Sequence, residues 1–137
     1  DKGLSERVRT CRRNGRVTYF HTVKEHLTPL ARAEKEEVID RAAYLALCER
    51  TEPDAAPIRK TRYTFPFGGR VFELDVYRDF SFSTLECEVA SEAELREIVP
   101  PPFVRVLRDV TEDRAYSNHA LAQRLAAEKK AKKQKKK

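Results

Sequence analysis

Three neighbouring segments of the chain place charged residues at every second position. Side chains alternate between the two faces of a β-strand, so such residues share one face when the segment is extended. Cations occupy the first segment and carboxylates occupy the other two. A metal-bound polyphosphate needs both kinds of group, because its phosphates bind cations and its metal ion binds carboxylates. The charged residues are Lys60 and Arg62, with Thr64 on the same face, then Glu73 and Asp75, then Glu86 and Glu88.

The same alternation is typical of an ordinary antiparallel sheet that keeps one face in water. The intervening positions are apolar in the second and third segments, for example Phe72, Leu74 and Leu85. The pattern alone therefore leaves two interpretations open, a solvated sheet face and a ligand site. For Glu34 and Glu36 the charged neighbours favour side chains that face solvent.

Turn and cap signals define the elements that must position these residues. Asn14-Gly15 and Gly68-Gly69 predict two hairpins, and Asp40 and Ser91 are candidate helix N-caps. The segment after Pro29 fits either a poorly apolar strand or the start of a helix. Short helices among six or seven mostly antiparallel strands predict an α+β fold, with a sheet or barrel. The predicted strands are 6–12, 16–24, 32–37, 58–67, 70–77, 84–89 and 104–110, and the predicted helices are 42–48, 91–98 and a terminal helix from about 118.

Composition limits the class of protein. A chain of 137 residues with 36% charged residues is long enough for one domain with one core. No apolar run approaches the roughly 18 residues that a membrane helix needs, so no membrane association is expected. The cysteines Cys11, Cys48 and Cys87 have no spacing typical of a zinc site or a disulfide framework. They predict reduced, buried thiols in a cytoplasmic protein.

The positive charge is concentrated at one end. The formal net charge is +6, but seven lysines lie between Lys129 and Lys137, which leaves the rest of the chain at about −1. By composition this tail is disordered or loosely helical. It is either a solubilising end or a contact for RNA or another polyanion, and the sequence does not choose between them.

Seven short motifs occur in the order found in CYTH domains, also called triphosphate tunnel metalloenzymes. The chain resembles that family from Glu6 to about Leu125, so we expect a CYTH-like domain in residues 1–125 and a lysine-rich tail in residues 126–137. The segments 58–63 and 72–76 resemble most the CYTH modules that accompany a P-loop ATPase domain. The motifs are Arg7-Val8-Arg9, Lys24, Glu34 with Glu36, 58–63, 72–76, Glu86-Cys87-Glu88, and Arg108-Asp109-Val110-Thr111 with Tyr116-Ser117-Asn118.

The resemblance implies an antiparallel β-barrel of eight strands, closed into a charged tunnel with short flanking helices. The family signature begins with a Glu-x-Glu-x-Lys strand, which no residue before Glu6 supplies. We therefore expect the first strand to be absent from the given sequence. The resemblance to modules that accompany a P-loop ATPase domain implies such a domain upstream.

The resemblance also implies a role for each charged residue, with Mg²⁺ or Mn²⁺ as the cofactor. Cations would bind the phosphates of the substrate, and carboxylates would bind the metal ion or position water. The substrate-binding residues would be Arg7, Arg9, Lys24, Lys60, Arg62 and Arg108, the metal ligands Glu86, Glu88, Glu73, Glu34 and Glu36, and the catalytic residues Glu86, Glu88 and Asp75.

Two classes of function are compatible with this pattern. One is a metal-dependent phosphohydrolase acting on tripolyphosphate, thiamine triphosphate or a nucleoside triphosphate. The other is a non-catalytic module that binds inorganic polyphosphate or a phosphorylated ligand, or docks in a larger assembly. An adenylate cyclase ranks below both, because no residues suggest a base-binding pocket.

Overall fold

The structure is a computed structural model that describes residues 4–28 and 31–136. Pro29 of the predicted loop, the residues before Leu4 and the last tail residue, Lys137, lie outside the described residues. The chain divides into two compact units, Asp1–Pro53 and Asp54–Lys137. Each unit contains one three-stranded antiparallel sheet.

The first sheet has the order β1-β2-β3, with strands Leu4–Arg13, Arg16–His26 and Arg32–Ile39. Asn14 and Gly15 have φ values of 51° and 76°, which suit the two-residue turn that the sequence predicts. The predicted hairpin is confirmed. The segment that could have been strand or helix is strand β3.

One helix covers part of this sheet. Helix α1 spans Arg41–Cys48, and the Asp40 side chain accepts a hydrogen bond from the Ala43 backbone N–H at 2.7 Å, as an N-cap does. Tyr44 packs on Tyr19 with ring centres 5.0 Å apart. Since Tyr19 and Phe20 point to opposite faces of β2, α1 lies on the Tyr19 face and leaves the Phe20 face to other residues.

The second sheet has the order β4-β5-β6, with strands Lys60–Phe67, Arg70–Tyr77 and Ser83–Cys87. Gly68 and Gly69 form the predicted turn between β4 and β5, with φ values of 57° and 76°. Strand β6 ends at Cys87, so the prediction that it extends to Val89 is wrong by two residues. The third strand is therefore shorter than the hairpin beside it.

The rest of the second unit contains two helices and a 3₁₀ turn. Helix α2, Glu92–Glu97, begins with two capping hydrogen bonds: the Ser91 side chain accepts from the Glu94 backbone N–H, and the Glu94 side chain accepts from the Ala90 backbone N–H. Residues 104–110 were predicted to be a strand, and this is wrong, because they form no strand. Helix α3, Asn118–Lys135, follows the 3₁₀ turn Arg114–Tyr116 and extends through most of the lysine-rich tail. The helical alternative for the tail is thus the one observed.

The core of the second unit joins the sheet to α3 through aromatic residues. Phe72 stacks on Phe65, and Tyr77 contacts both Phe80 and Phe82 at ring distances of 5.9 Å and 5.4 Å. Leu121, Leu125 and Ala126 bury the first half of α3. The second half of α3, from Ala127 onwards, has no buried apolar side chain.

Two fold predictions need correction. The cysteines, expected to be buried, are only half-buried, because Cys11 and Cys87 lie on three-stranded sheets and Cys48 at the end of the short helix α1. The described strands form two separate sheets, and no closed barrel is found among them. The antiparallel α+β class is confirmed. Within the part of the chain that the structure describes, no helix combines the length and apolar character needed to cross a membrane.

Leu121→Ala should lower the free energy of unfolding by about 3 kcal/mol, because it leaves a cavity at a side chain with 0% exposure. Chemical denaturation measures the change. The control is Leu107→Ala, whose side chain is 82% exposed and whose loss should cost less than about 0.5 kcal/mol. Equal effects of the two variants would show that α3 does not contribute to the core.

Candidate functional site

The second sheet places its predicted site residues on a single face. In the register, Arg62 lies opposite Asp75, and Glu73 lies opposite Glu86. Lys60 is two residues before Arg62 and therefore shares its face. We call this set the β4–β6 charged face: Lys60, Arg62, Glu73, Asp75 and Glu86.

Asp75 is the centre of this face. Its side chain is 1% exposed, and both of its oxygens accept hydrogen bonds from cations. Lys60 Nζ donates to Oδ2 at 2.7 Å, while Arg62 donates from Nε to Oδ1 at 2.7 Å and from Nη2 to Oδ2 at 2.9 Å. The arginine contact is bidentate, which fixes the guanidinium plane. Arg62 also pairs with Glu73 at 2.5 Å.

The charges of this cluster stabilise one another. Burial alone would raise the pKa of Asp75, but the hydrogen bonds and charges of Arg62 and Lys60 hold it below its ordinary value. The pKa of Arg62 is raised in turn, first by the hydrogen bond to Asp75 and further by the charges of Glu73 and Glu86. Asp75 therefore stays ionised and holds two cations in fixed positions.

The first sheet repeats the arrangement on the face that α1 leaves open. Thr22, the central residue, is fully buried and lies between Arg7 on β1 and Glu36 on β3 in the register. Arg9 Nη2 donates to Glu36 Oε1 at 2.9 Å, and Thr22 Oγ1 donates to the same oxygen at 3.0 Å. We call this set the β1–β3 charged face: Arg7, Arg9, Lys24, Glu34 and Glu36.

Glu36 has the role on this face that Asp75 has on the other. Its slight burial would raise its pKa, but hydrogen bonds from Arg9 and Thr22, with the charges of Arg9 and Arg7, lower it. Glu34 lies 3.9 Å from Lys24 Nζ. Both carboxylates are more than one-third exposed as residues, as the sequence favoured, yet both are paired with cations.

Comparisons with known proteins relate the chain to an inorganic triphosphatase. A scan against models of protein families finds no match. An inorganic triphosphatase of Nitrosomonas europaea is 36% identical over 107 residues, which cover 76% of this chain and 68% of that protein. The chain belongs to the CYTH, or triphosphate tunnel, family.

Solved structures agree with this assignment. A crystal structure of the inorganic triphosphatase NE1496 has a TM-score of 0.52 and 34% identity, covering 77% of this chain and 66% of that one. A crystal structure described as the hypothetical protein NE1496 has a TM-score of 0.55 and 31% identity, covering 88% of this chain and 76% of that one. The CYTH resemblance found in the sequence is thus confirmed at the level of family.

The CYTH family implies a divalent metal ion, and two carboxylates on the β4–β6 charged face fit one. Glu73 and Glu86 are register neighbours, and both charges act on Arg62. Mg²⁺ commonly binds one or two carboxylates and completes its coordination with water and substrate phosphate. Among the residues that the structure describes, no group of three His, Cys, Asp or Glu side chains is arranged to hold a metal ion.

Two predicted site residues lie outside both charged faces. Glu88 follows the last residue of β6 and is exposed. Arg108 lies in the segment between α2 and the 3₁₀ turn, where it donates to Tyr116 Oη at 2.9 Å and to Asp113 at 3.3 Å. Both remain predicted functional residues of this CYTH protein, and neither lies in a strand that would fix the direction of its side chain.

Sequence reasoning did not assign a role to three uncharged residues on these faces. Thr22 hydrogen-bonds Glu36, and the hydroxyls of Tyr77 and Thr84 hydrogen-bond each other at 3.1 Å beside Asp75. Burial raises the pKa of Tyr77, and the charges of Asp75 and Glu86 add to this effect. The strand alternation that located Asp75 also places Tyr77 and Thr84 on its face, so this signal was available.

His21 lies on the other face of the first sheet, where its ring nitrogens face two carboxylates: Nε2 is 2.7 Å from Glu6 and Nδ1 is 3.4 Å from Glu37. Arg50 also donates to Glu6 at 3.0 Å. His21 is therefore hydrogen-bonded on the side of the sheet away from the β1–β3 charged face.

Asp75→Asn should weaken the dependence of the unfolding free energy on pH in the acidic range. The pKa of Asp75 is lower in the folded chain than its ordinary value of about 4, so its contribution is complete above about pH 4 and is lost as pH falls through the lowered value. We expect the variant to lose about 2 kcal/mol of unfolding free energy at pH 7, because Lys60 and Arg62 lose their shared partner. The loss should shrink as the pH falls below about 4.

Chemical denaturation across this pH range measures the effect. Asp54→Asn is the control, because it removes an exposed carboxylate and should change the unfolding free energy at pH 7 by less than about 0.5 kcal/mol. A penalty for Asp75→Asn that stayed constant down to the most acidic pH would contradict the ionised role of this side chain.

Proposed function

We propose that this protein hydrolyses a triphosphate-containing substrate in a metal-dependent reaction. The observation that supports the proposal is the pair of cations that Asp75 holds beside Glu73 and Glu86 on one strand face. Membership of a family that includes an inorganic triphosphatase adds support. Tripolyphosphate is the first candidate substrate, with thiamine triphosphate and nucleoside triphosphates as alternatives.

Lys60 and Arg62 would bind the phosphate oxygens. A guanidinium can contact two oxygens at once, whereas a lysine acts as a compact charge. Because Asp75 already fixes both side chains, little conformational entropy is lost when the substrate binds. Arg7, Arg9 and Lys24 provide a second group of cations of the same kind on the β1–β3 charged face.

Glu73 and Glu86 would hold Mg²⁺ or Mn²⁺ together with phosphate oxygens. When bound, such an ion neutralises charge on the phosphate and makes a water molecule more acidic. Phosphoryl transfer needs mainly positioning and charge neutralisation. Glu86, with Glu88 as a second candidate, would orient water towards the terminal phosphorus and accept its proton.

The reaction then needs no side-chain nucleophile. The oxygen of water bonds to the terminal phosphorus, and the bond from that phosphorus to the bridging oxygen breaks. From tripolyphosphate the products are diphosphate and phosphate. Lys60 and Arg62 would stabilise the negative charge that develops on the leaving group.

One observation favours a binding module as the second candidate. The cations on both charged faces are already paired with carboxylates, as in Arg62 with Asp75 and Arg9 with Glu36. The charges on such a face can be balanced without a metal ion. A polyphosphate bound by these cations would then stay intact, with no phosphoanhydride bond hydrolysed.

Glu86→Gln should lower the kcat for phosphate release from tripolyphosphate by about a hundredfold or more, because it removes a carboxylate needed for metal or water. Release of phosphate with Mg²⁺ or Mn²⁺, and after addition of EDTA, is the measurement. Glu112→Gln, an exposed carboxylate outside the charged faces, is the matched control and should retain full activity.

A second readout separates the two candidate functions. Ligands that bind the folded state raise its melting temperature, so tripolyphosphate with Mg²⁺ should do so. A raised melting temperature without any phosphate release would favour the binding module. Full activity of Glu86→Gln would contradict the proposed site.

A further inference from the structure

Helix α3 has a buried half and an exposed half. Leu121, Leu125 and Ala126 anchor its first half in the core of the second unit. Residues 129–136, which we call the lysine segment, are all exposed, and they are lysines apart from one alanine and one glutamine. The core therefore holds the base of a helix whose continuation presents six lysines to solvent.

The six lysines form one continuous face of the lysine segment. Because an α-helix has 3.6 residues per turn, successive side chains are about 100° apart around its axis. Ala131 and Gln134 then lie about 60° from each other, and the lysines fill an arc of about 220° on the other side. More than half of the circumference of this helix is therefore positively charged.

These lysine charges have no counter-charge within α3. Glu128 is the single carboxylate in the sequence of the helix, and it accepts a hydrogen bond from Arg124 at 2.9 Å. Lys129 and Lys133 are four residues apart on the helix, so their like charges repel each other and destabilise it. An anionic partner that contacts the lysine segment would offset this repulsion.

The spacing of the lysine charges matches that of the phosphates in double-stranded DNA. Six lysines over about 10 Å of helix give one positive charge per about 1.7 Å. Double-stranded DNA carries one negative charge per about 1.7 Å of its axis. Its major groove is about 12 Å wide and admits an α-helix, with a phosphate backbone on either side. A helix that is cationic over more than half of its circumference can contact both backbones.

We propose that the lysine segment binds the phosphate backbones that border the major groove of duplex DNA, without preference for sequence. Contacts to phosphate fix the position of a protein on the duplex but carry no sequence information directly. A lysine suits such contacts because its ammonium group is a compact charge on a flexible stem. This surface lies outside both charged faces, so the proposal does not depend on the proposed hydrolysis.

Other polyanions fit the lysine segment less well. Binding sites for single-stranded nucleic acid combine cations with aromatic side chains on which bases stack, and the sequence of the segment contains no aromatic residue. A helix that lies in a membrane interface buries an apolar face, which this segment lacks. The major groove of an RNA duplex is deep and narrow, so it receives a helix less readily than that of DNA.

The test measures the affinity of the full chain for a short DNA duplex by fluorescence anisotropy over a series of salt concentrations. The variant Lys130→Gln/Lys132→Gln/Lys133→Gln removes three charges from exposed helical positions and keeps a good helix former at each. A second variant, with arginine at the same three positions, keeps the charges.

A matched control removes three exposed charges elsewhere, in the variant Arg12→Gln/Arg41→Gln/Arg105→Gln. Its net charge equals that of the glutamine variant of the lysine segment. The comparison therefore separates binding by this segment from a general attraction between the protein and DNA. Melting curves of all three variants verify that they fold.

We expect the glutamine variant of the lysine segment to bind duplex DNA at least about tenfold more weakly. The slope of log affinity against log salt should become shallower by about two to three, because each lost phosphate contact contributes about 0.9. The arginine variant of the segment should bind as the wild type does. The control variant should lose less than about twofold in affinity at the same salt concentration, because its charges lie outside the binding segment.

The contrary results are equally specific. Equal weakening in the control variant would overturn the proposal in favour of general electrostatic attraction. The wild-type protein also decides the class of partner without any variant. Single-stranded DNA, an RNA duplex, or vesicles that contain phosphatidylserine, if bound as tightly as duplex DNA, would each overturn it. None of these measurements involves phosphate release, so their failure would leave the proposed hydrolysis intact.

Discussion

The buried carboxylate of Asp75 is the constraint on which the second sheet depends. Removing an ionised group from water costs on the order of several kcal/mol unless its oxygens are well paired. Lys60 and Arg62 meet this requirement with three hydrogen bonds of 2.7–2.9 Å. The same contacts fix the two cations at positions set by the β4–β5 register, so a structural requirement of the sheet also determines where a phosphate could bind.

The first sheet uses a weaker form of this arrangement. Glu36 accepts from Arg9 and from the buried Thr22, but its side chain remains 33% exposed. Its ion pair is therefore more screened by solvent than that of Asp75, and its carboxylate can exchange partners at lower cost. Of the two central carboxylates, Asp75 is the more buried and Glu36 the more exposed to solvent.

Strand alternation predicted the β4–β6 charged face, because it determines which residues share a face, and the hairpin turns determine which strands are neighbours. The residues of the β1–β3 charged face were named from the family resemblance. Alternation did not predict that Asp75 would be buried, since it does not reveal what covers a face. Phe80 and Phe82, which pack on Tyr77 of the same face, lie in a segment with no periodic pattern. Residues 104–110 were wrongly assigned to a strand, because the sequence does not show whether an extended segment has a neighbouring strand to pair with. The contact of Arg108 with Tyr116 was likewise not predicted.

One backbone hydrogen bond links α3 to the segment before the second sheet. The Ala56 N–H donates to the carbonyl of Ala122 at 3.0 Å, which ties the second turn of α3 to the segment that leads into β4. Arg59 and Lys60 follow only a few residues later, so a rotation of α3 would be transmitted directly to the start of that strand. This hydrogen bond therefore couples the position of α3 to that of Lys60, and through Lys60 to the ion pair with Asp75.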